Sequence, residues 1–249
     1  MNATAQRSLD AIWHDVECGA YAEDLPIWEE LAAEAGGPVL DVGCGTGRVT
    51  LHLARRGADV TGLEIERPLV DELRRRAEAE RLYLGAEVAD VREPMAGPAR
   101  HPLVIAAMQL IQLVGGVPQR ASALGRIASS LRPGGVAALA IVEGTEGIEG
   151  AAGPGVVPDV RDVDGWVYSS MPLEVRVRDG CLEILRLRQT VTPAGELTEA
   201  RHVDRLDVVD AATIEAETAA AGLVPIGRRP VAQSEMHVGS TVVLARREG

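Results

Sequence analysis

The sequence contains no lysine and no phenylalanine, and all 25 of its basic residues are arginines. The absence of lysine excludes enzymes that form a Schiff base through a lysine amine, and it excludes the phosphate-binding lysine of a P-loop. Because aromatic residues make up 2% of the chain, its core must consist of leucine, valine, isoleucine and alanine. With 249 residues, 46% of them hydrophobic, the chain has enough apolar side chains for one large domain or a domain with an insertion.

Cysteine is scarce, and its pattern suggests no pairing. The three cysteines, Cys18, Cys44 and Cys181, lie far apart without a CxxC motif, so we predict neither a disulfide framework nor a structural zinc site. The N-terminus lacks the basic-then-apolar pattern of a signal peptide, and no run of about 18 apolar residues is present that would span a bilayer. We therefore predict a cytoplasmic protein that does not act in a membrane.

Positive charge is also in short supply, because 25 basic residues face 37 acidic ones and the formal net charge is −12. Nucleic-acid binding depends on clustered cationic side chains that neutralise phosphates. The charge balance therefore argues against DNA or RNA as a partner and favours a small-molecule substrate.

The hydrophobic pattern divides the chain into four segments. Residues 1–37 read as a helical lobe, whose clearest helix has Asp24 as a candidate N-cap, Pro26 in its first turn and glycines at its end. Residues 38–142 alternate apolar strands with amphipathic helices, which predicts an α/β fold with a doubly wound parallel sheet. This core resumes at 210–249, where Asp210 is the candidate N-cap of a further helix.

Between the two parts of the core, residues 143–209 form a predicted insertion. Residues 143–165 are rich in glycine and proline without a period, which is typical of a lid loop. The remainder alternates strand patterns with "DG" and "PAG" turns and predicts an antiparallel β meander. We interpret the insertion as a substrate platform; a surface sheet without a role in binding is the alternative.

The stretch "PVLDVGCGTGRVT" places Gly43, Gly45 and Gly47 between a strand and a helix. Such a turn exposes backbone N–H groups to a ligand that approaches closely. The dinucleotide motif is GxGxxG, but here Arg48 stands where its last glycine would fall. Asp41 lies two residues before the first glycine, and like charges 4 Å apart repel by roughly 1 to 4 kcal/mol. The loop therefore favours a cationic nucleotide-like ligand over a pyrophosphate.

The segment "VLDVGCGTGR" resembles the first motif of class I S-adenosylmethionine-dependent methyltransferases. The resemblance extends over the α/β core and implies a Rossmann-like sheet with an antiparallel last strand, here "STVVLARR". It implies S-adenosylmethionine as the cofactor and S-adenosylhomocysteine as the product. It further implies that the cofactor contacts the first-motif residues Asp41, Gly43, Cys44, Gly45, Thr46 and Gly47.

The resemblance also assigns cofactor contacts on later strands. Glu64, in "TGLEIE" with Ile65 next to it, matches the acid that holds the ribose hydroxyls. Asp90, in "EVADVRE", matches the acid near the adenine amino group, with Val91 packing on the base. Solvated surface acids are the alternative for both carboxylates. Further cofactor contacts are expected from Tyr21, in the lobe that covers the cofactor in related enzymes, and from Met108 at the end of the fourth strand.

The fourth strand and the residues directly after it, "PLVIAAMQLIQLVGG", would lie next to the reacting methyl group. No Asp or Glu occurs between Glu93 and Glu143, which argues against a metal ligand here and predicts a metal-independent enzyme. Gln109 and Gln112 are polar in an apolar stretch and are our candidate substrate contacts. We add Tyr168, which opens the meander, as a third candidate.

Transfer from a sulfonium requires alignment above all, and a general base is optional. Of the five histidines, His237 lies between the last two strands and is our first candidate for a base. His14, in the N-terminal lobe, is the second candidate. His52 and His101 are expected to be structural. A plain loop histidine is the alternative for His237.

We predict a metal-independent enzyme that methylates a small molecule, such as a secondary metabolite, at N, O or C. One alternative retains the cofactor but catalyses cyclisation, elimination or rearrangement without methylation. Another is a non-catalytic subunit of the same fold. A homodimer is compatible with the sequence.

Overall fold

The computed structural model describes residues 8–93, 99–144, 156–234 and 237–249. In chain order, the elements are α1 Leu9–Cys18, α2 Leu25–Ala35, β1 Val39–Val42, α3 Arg48–Arg55, β2 Val60–Glu64, α4 Arg67–Glu80, β3 Gly85–Val88, β4 His101–Ala106, α5 Leu110–Leu113, α6 Gly116–Ser130, β5 Leu131–Ile141, β6 Asp159–Val163, β7 Trp166–Arg178, β8 Cys181–Val191, β9 Leu197–Asp207, α7 Ala211–Ala220, β10 Leu223–Val231 and β11 Ser240–Arg247.

The chain divides into two compact units. The core unit comprises 21–143 and 209–249, and the meander unit comprises 1–20 and 144–208. This division differs from the one drawn on the sequence, because the predicted N-terminal lobe of residues 1–37 is split after Ala20. As a result, α1 belongs to the meander unit and α2 belongs to the core unit.

The core unit contains a seven-stranded sheet in the order β10-β11-β5-β4-β1-β2-β3. β1 pairs in parallel with both β2 and β4, so the strand order reverses between β1 and β4. β11 pairs antiparallel with both β5 and β10. The sheet is therefore doubly wound with an antiparallel last strand, as predicted.

Apolar side chains cover both faces of this sheet. Along β4, Val104 belongs to one buried cluster, whereas Leu103 and Ile105 belong to another. The first cluster includes residues of α6 and α7, and the second includes residues of α2 and α3. Burial on both faces explains why these strands read as continuous apolar runs.

Three helix ends were predicted from capping residues. The structure shows two of these caps, and at the third the predicted side-chain bond is absent. Gly36 ends α2 in the left-handed conformation, at φ 59°. The side chain of Asp210 accepts the Thr213 N–H at 2.7 Å and so caps α7. Asp24 occupies the N-cap position of α2, but its carboxylate makes no capping bond because it pairs with Arg48 instead. Among the described residues, no helix is both long enough and apolar enough to cross a membrane.

The meander unit contains a four-stranded antiparallel sheet in the order β6-β7-β8-β9. β6 was not predicted, since residues 143–165 were assigned to a lid loop. The missed signal is Asp164-Gly165, whose φ angles of 54° and 81° are typical of a type I′ hairpin turn. β6 itself is polar and carries no apolar run. Residues 145–155 of the predicted lid lie outside the described residues.

α1 packs on the meander sheet. Ile12, Trp13 and Val16 form a buried cluster with Tyr168, and the Trp13 and Tyr168 rings meet edge to face with centroids 5.4 Å apart. These apolar contacts explain why α1 belongs to the meander unit.

Candidate active site

The carboxyl ends of the parallel strands carry most of the predicted site residues of the core unit. Gly43 follows β1, Glu64 ends β2 and Met108 follows β4. Ligands of doubly wound sheets bind at this edge, where the strand order reverses. In this sheet the reversal lies between β1 and β4, so the glycine loop and Met108 lie on either side of it.

The glycine loop requires glycine for two separate reasons. Gly43, Gly45 and Gly47 all adopt positive φ angles, of 68°, 56° and 95°, which other residues rarely adopt. A Cβ atom on Gly43 would lie 2.6 Å from a methyl of Leu110, and one on Gly47 would lie 2.4 Å from a methyl of Leu73. Backbone conformation and lack of space together therefore explain the motif.

Glu64 ties the loop to the end of β2. Its Oε2 accepts the backbone N–H of Gly45 at 3.1 Å, and its Oε1 accepts those of Ile65 at 2.7 Å and Glu66 at 3.1 Å. The side chain is buried, yet it lines the adjoining cavity. A carboxylate oxygen has two acceptor positions, so Oε2 can accept a further hydrogen bond from a ligand hydroxyl.

Asp41 lies beneath the loop, and it is not among the residues that line the cavity. Its side chain is buried and accepts a hydrogen bond of 2.6 Å from Thr50 Oγ1. Burial raises the pKa of Asp41 to about 6, against the opposing effects of Thr50 and Arg48. The predicted attraction for a cation would therefore have to act through the loop and not by direct contact in the cavity.

The other two loop residues predicted to bind the cofactor have buried side chains. Cys44 belongs to an apolar cluster with Leu51 and Leu73, and burial raises the pKa of its thiol well above the ordinary value. Thr46 is also buried, and its carbonyl accepts a long bond of 3.5 Å from Arg76. Any contact of these two residues with a ligand would therefore have to come from their backbone atoms.

A cavity of about 190 Å³ adjoins the glycine loop and Glu64. Ile65 and Leu113, which are 49% and 50% exposed, are large apolar side chains on its lining. Apolar walls with a few polar groups are typical of a site for a small molecule or a cofactor. Its lining also includes Gly43, Leu63, Ala89, Asp90, Val91, Arg92, Leu110 and Val114.

Asp90 is held by Arg92, a residue that the sequence did not suggest. Oδ1 of Asp90 accepts from the Arg92 backbone N–H at 2.8 Å and from Nε at 2.9 Å, while Oδ2 accepts from Nη2 at 2.7 Å. These bonds to Arg92 hold the pKa of Asp90 below its ordinary value. The predicted contact from Asp90 to an adenine amino group would have to share acceptor positions with Arg92.

Two consecutive residues after β4 adopt an unfavourable backbone conformation. Met108 has φ 46° and Gln109 has φ 58°, and neither is a glycine. Such strain costs about 1–3 kcal/mol for each residue and is concentrated at functional sites. Met108 and Gln109 lie beside the reversal of strand order. Their strained backbone at this position supports them as site residues.

The side chain of Gln112 forms hydrogen bonds with the protein backbone. Its buried amide donates to the carbonyl of Val142 at 3.2 Å and accepts the Val142 N–H at 2.8 Å. It thereby holds the segment after β5 in place. This pairing favours a structural role for Gln112 over the predicted substrate contact.

Arg48 stands in place of a third motif glycine and has its own partners. Its guanidinium donates to the Asp24 carboxylate, at 2.7 Å from Nη2, and to the carbonyl of Tyr21 at 3.0 Å. It also lies 5.0 Å from the centroid of the Tyr21 ring. Arg48 thus links the loop to the segment before α2.

His237 lies at the same edge of the sheet. Because β11 is antiparallel, the segment before Ser240 lies beyond the carboxyl end of β5. The His237 ring contacts the Tyr21 ring, with centroids 4.9 Å apart, and its Nδ1 lies 3.1 Å from a carboxylate oxygen of Glu23. Tyr21 is therefore in contact with both Arg48 and His237.

Comparison with known proteins agrees with this geometry. Residues 39–135 match the family profile described as methyltransferase domain. This part of the chain is therefore similar to a methyltransferase domain. The chain is 33% identical over 100 residues to a ubiquinone biosynthesis O-methyltransferase of Coxiella burnetii, an alignment that covers 40% of this chain and 41% of that protein. It is 37% identical over 94 residues to a magnesium-protoporphyrin O-methyltransferase of Rhodobacter capsulatus, covering 37% and 38% of the two. The chain therefore spans about two fifths of the length of these relatives.

Solved methyltransferase structures extend the likeness beyond this domain. The sugar N-methyltransferase KedS8 from Streptoalloteichus has a TM-score of 0.76 at 18% identity, covering 100% of this chain and 96% of that one. The CcbJ methyltransferase from Streptomyces caelestis has a TM-score of 0.72 at 21% identity, covering 96% and 97%. The predicted resemblance to class I methyltransferases and the α/β fold with its antiparallel meander are confirmed.

Two predicted site residues belong to the meander unit, outside the matched methyltransferase domain. Tyr168 is buried against Trp13, which favours a packing role over the predicted substrate contact. His14 lies on α1 and is half-buried. Its predicted role as a base stays a prediction.

Proposed function

We propose that the chain binds S-adenosylmethionine at the carboxyl edge of its core sheet and transfers the methyl group to a small-molecule acceptor, leaving S-adenosylhomocysteine. The observation that carries this proposal is the glycine loop, whose left-handed glycines are tied to Glu64 next to an apolar cavity. The match of residues 39–135 to a methyltransferase domain supports it.

The cavity residues fit the adenosine part of this cofactor. Glu64 has a free acceptor position for the ribose hydroxyls and is held in place by three backbone N–H groups. Ile65 and Val91 enclose the adenine ring, together with Leu110 from the other wall. Asp90 and Arg92 flank this end as an ion pair.

The remaining cofactor residues serve the methionine part. The backbone of Gly43 to Gly47 approaches it closely, because the three glycines carry no side chain. Tyr21, fixed by Arg48, covers it, and the buried charge of Asp41 attracts its ammonium group through the loop.

S-adenosylmethionine supplies a methyl group on a sulfonium sulfur, which is an activated leaving group. The protein therefore has mainly to align the acceptor, a contribution of up to roughly 7 to 11 kcal/mol in favourable cases. We assign this alignment to Met108 and Gln109, whose strained backbone follows β4. His237 takes the acceptor's proton where one is released, with His14 as a second candidate. We propose that this transfer is metal-independent, because the segment between Glu93 and Glu143 offers no carboxylate that could hold a metal ion at the end of β4.

We propose that the acceptor is a polar metabolite and that the reaction is a biosynthetic step in the cytoplasm. Similar structures include a sugar N-methyltransferase and the amino pentose methyltransferase CalS10 from Micromonospora echinaspora, so amino sugars head our candidate acceptors, with hydroxyl and carbon acceptors beside them. The net charge of −12 disfavours a nucleic acid. Self-association as a homodimer is compatible with this function.

The test is incubation with methyl-labelled S-adenosylmethionine and a panel of acceptors that begins with amino sugars and phenols. We expect label in the product and an equal amount of S-adenosylhomocysteine. Turnover of an acceptor without incorporated label would overturn methyl transfer in favour of cyclisation, elimination or rearrangement, an outcome that no feature of the site favours.

A further inference from the structure

Glu23 and His237 form a carboxylate–imidazole pair between two distant parts of the sequence. Oε1 of Glu23 lies 3.1 Å from Nδ1 of His237, and both side chains are about one third exposed, at 31% and 32%. Hydrogen bonds from Ser234 and from the Ala22 N–H lower the pKa of Glu23 to about 2, so the carboxylate is ionised at neutral pH. An ionised carboxylate accepts a hydrogen bond but cannot donate one.

Contacts on other sides restrict the His237 ring. The Tyr21 ring lies against it, with an interplanar angle of 58°. The backbone of His237 makes a reciprocal pair with Ser234, because its N–H donates to Ser234 Oγ at 3.1 Å and its carbonyl accepts the Ser234 N–H at 3.0 Å. These contacts restrict the position of the imidazole at the carboxyl edge of the sheet.

We propose that Glu23 is a positioning residue that fixes His237 in the tautomer with its proton on Nδ1, which leaves the lone pair of Nε2 to accept a proton from the methyl acceptor. The chemistry follows from the pair itself, since Glu23 can only accept at Nδ1 and the second nitrogen of the ring must then be the base. The proposal rests on the proposed methyl transfer.

The proton and electron balance of the step is complete. The acceptor atom bonds to the methyl carbon, and the electron pair of the broken sulfur–carbon bond stays on sulfur. The acceptor's proton moves to Nε2 of His237, which becomes an imidazolium beside the Glu23 carboxylate. Solvent removes that proton after product release, and the neutral tautomer is restored.

A second carboxylate–histidine pair in the core unit provides a matched control. Nε2 of His52 lies 3.3 Å from Glu29, and its Nδ1 lies 3.3 Å from the guanidinium of Arg56. Both nitrogens of that ring therefore have partners. Replacing Glu29 with glutamine changes a similar pair outside the proposed site.

The tautomer is measured by ¹⁵N NMR of histidine-labelled protein without cofactor, in the wild type and in the variants Glu23→Ala, Glu23→Gln and Glu29→Gln. We expect the Nδ1–H tautomer of His237 in the wild type and in Glu23→Gln, because the glutamine oxygen still accepts from Nδ1. Glu23→Ala should shift His237 to the Nε2–H tautomer, whereas Glu29→Gln should leave it unchanged. An Nε2–H tautomer in the wild type would overturn the proposal.

Kinetic measurements distinguish a positioning role of Glu23 in catalysis from a purely structural role. We expect Glu23→Ala to lower kcat about tenfold or more while KM and the affinity for S-adenosylhomocysteine stay unchanged, with partial recovery in Glu23→Gln. Wild-type kcat in Glu23→Ala would also overturn the proposal, whatever the tautomer. Failure of the wild type to bind S-adenosylhomocysteine would refute the proposed function instead. Because the tautomer is measured without cofactor, it tests the role of Glu23 independently of that result.

Discussion

The backbone N–H of Gly45 donates a hydrogen bond of 3.1 Å to the carboxylate of Glu64, across the ends of two neighbouring strands. One side chain thus shapes the glycine loop and lines the cavity beside it. Glu64, which was assigned to the ribose hydroxyls, therefore has a second role. It accepts the N–H of Gly45, which would otherwise lack a partner. Substitutions at Glu64 should therefore affect both the loop and the ligand.

We expect Glu64→Ala to weaken the binding of S-adenosylhomocysteine tenfold or more, which corresponds to about 1.4 kcal/mol. Glu64→Gln keeps an acceptor for Gly45 but removes the charge, so its loss should be smaller. Glu215→Ala removes an acid that pairs with Arg228 instead and should bind normally. Isothermal titration of the three variants measures the difference, and an unchanged dissociation constant in Glu64→Ala would remove Glu64 from the site.

Gly47 and Gly57 allow the two reasons for a loop glycine to be separated. Both have positive φ, of 95° and 82°, but a Cβ on Gly47 would meet Leu73 at 2.4 Å, whereas a Cβ on Gly57 would meet nothing within 4 Å. Gly57→Ala should cost about 1–2 kcal/mol from the left-handed backbone alone. Gly47→Ala should cost about 1–3 kcal/mol more from overpacking. Chemical denaturation checks this order, and equal losses would contradict it.

The buried pair of Arg48 and Asp24 should be far more important for stability than an exposed pair. Their side chains are 9% and 2% exposed, so Arg48→Met leaves a buried carboxylate without its cation and should cost about 3–5 kcal/mol. Arg55→Met, which breaks the exposed pair with Glu80, should cost about 1 kcal/mol or less. Adding Asp24→Asn to Arg48→Met should recover part of the loss. Thermal and denaturant unfolding of these variants would refute this if the two single losses were similar.

Asp41 gives a pH dependence whose sign is fixed by its raised pKa. The folded chain holds this proton up to about pH 6, against an ordinary pKa of 3.8, so its contribution to stability falls as the pH rises between these values. The difference of about 2 pKa units corresponds to about 3 kcal/mol. Asp41→Asn should therefore be more stable than the wild type at pH 8, and this advantage should shrink towards pH 4. The same variant should bind S-adenosylhomocysteine more weakly.

Asp210→Asn is the control, because the contribution of Asp210 to stability depends on pH in the opposite direction. The bonds to Thr213 lower the pKa of Asp210, so its contribution to stability is present at neutral pH and is lost as the pH falls. Denaturant unfolding between pH 4 and pH 8 gives both profiles. Lower stability of Asp41→Asn than of the wild type at pH 8 would show that the buried charge imposes no cost on the fold.

The sequence was most informative where a local pattern determines a local structure. Continuous apolar strands separated by helices predicted the parallel sheet, because burial on both faces requires that composition. The glycine motif predicted a left-handed loop, since few other residues adopt positive φ. The same turn chemistry was used at Asp179-Gly180 but overlooked at Asp164-Gly165, and β6 was missed for that reason.

Pairings between distant residues were beyond the sequence. Nothing in the local sequence indicates that Arg48 pairs with Asp24 or that Glu23 contacts His237. Gln112 shows a further difficulty, because a polar residue in an apolar stretch also occurs where buried backbone groups need a partner.

The central claim is that the glycine loop and Glu64 bind an adenosyl sulfonium compound and not a dinucleotide. Isothermal titration of the purified wild-type chain with S-adenosylhomocysteine and, separately, with NAD at neutral pH tests it most directly. We predict saturable binding of S-adenosylhomocysteine at one site and no heat of binding with NAD. Binding of NAD by a chain that ignores S-adenosylhomocysteine would contradict the account.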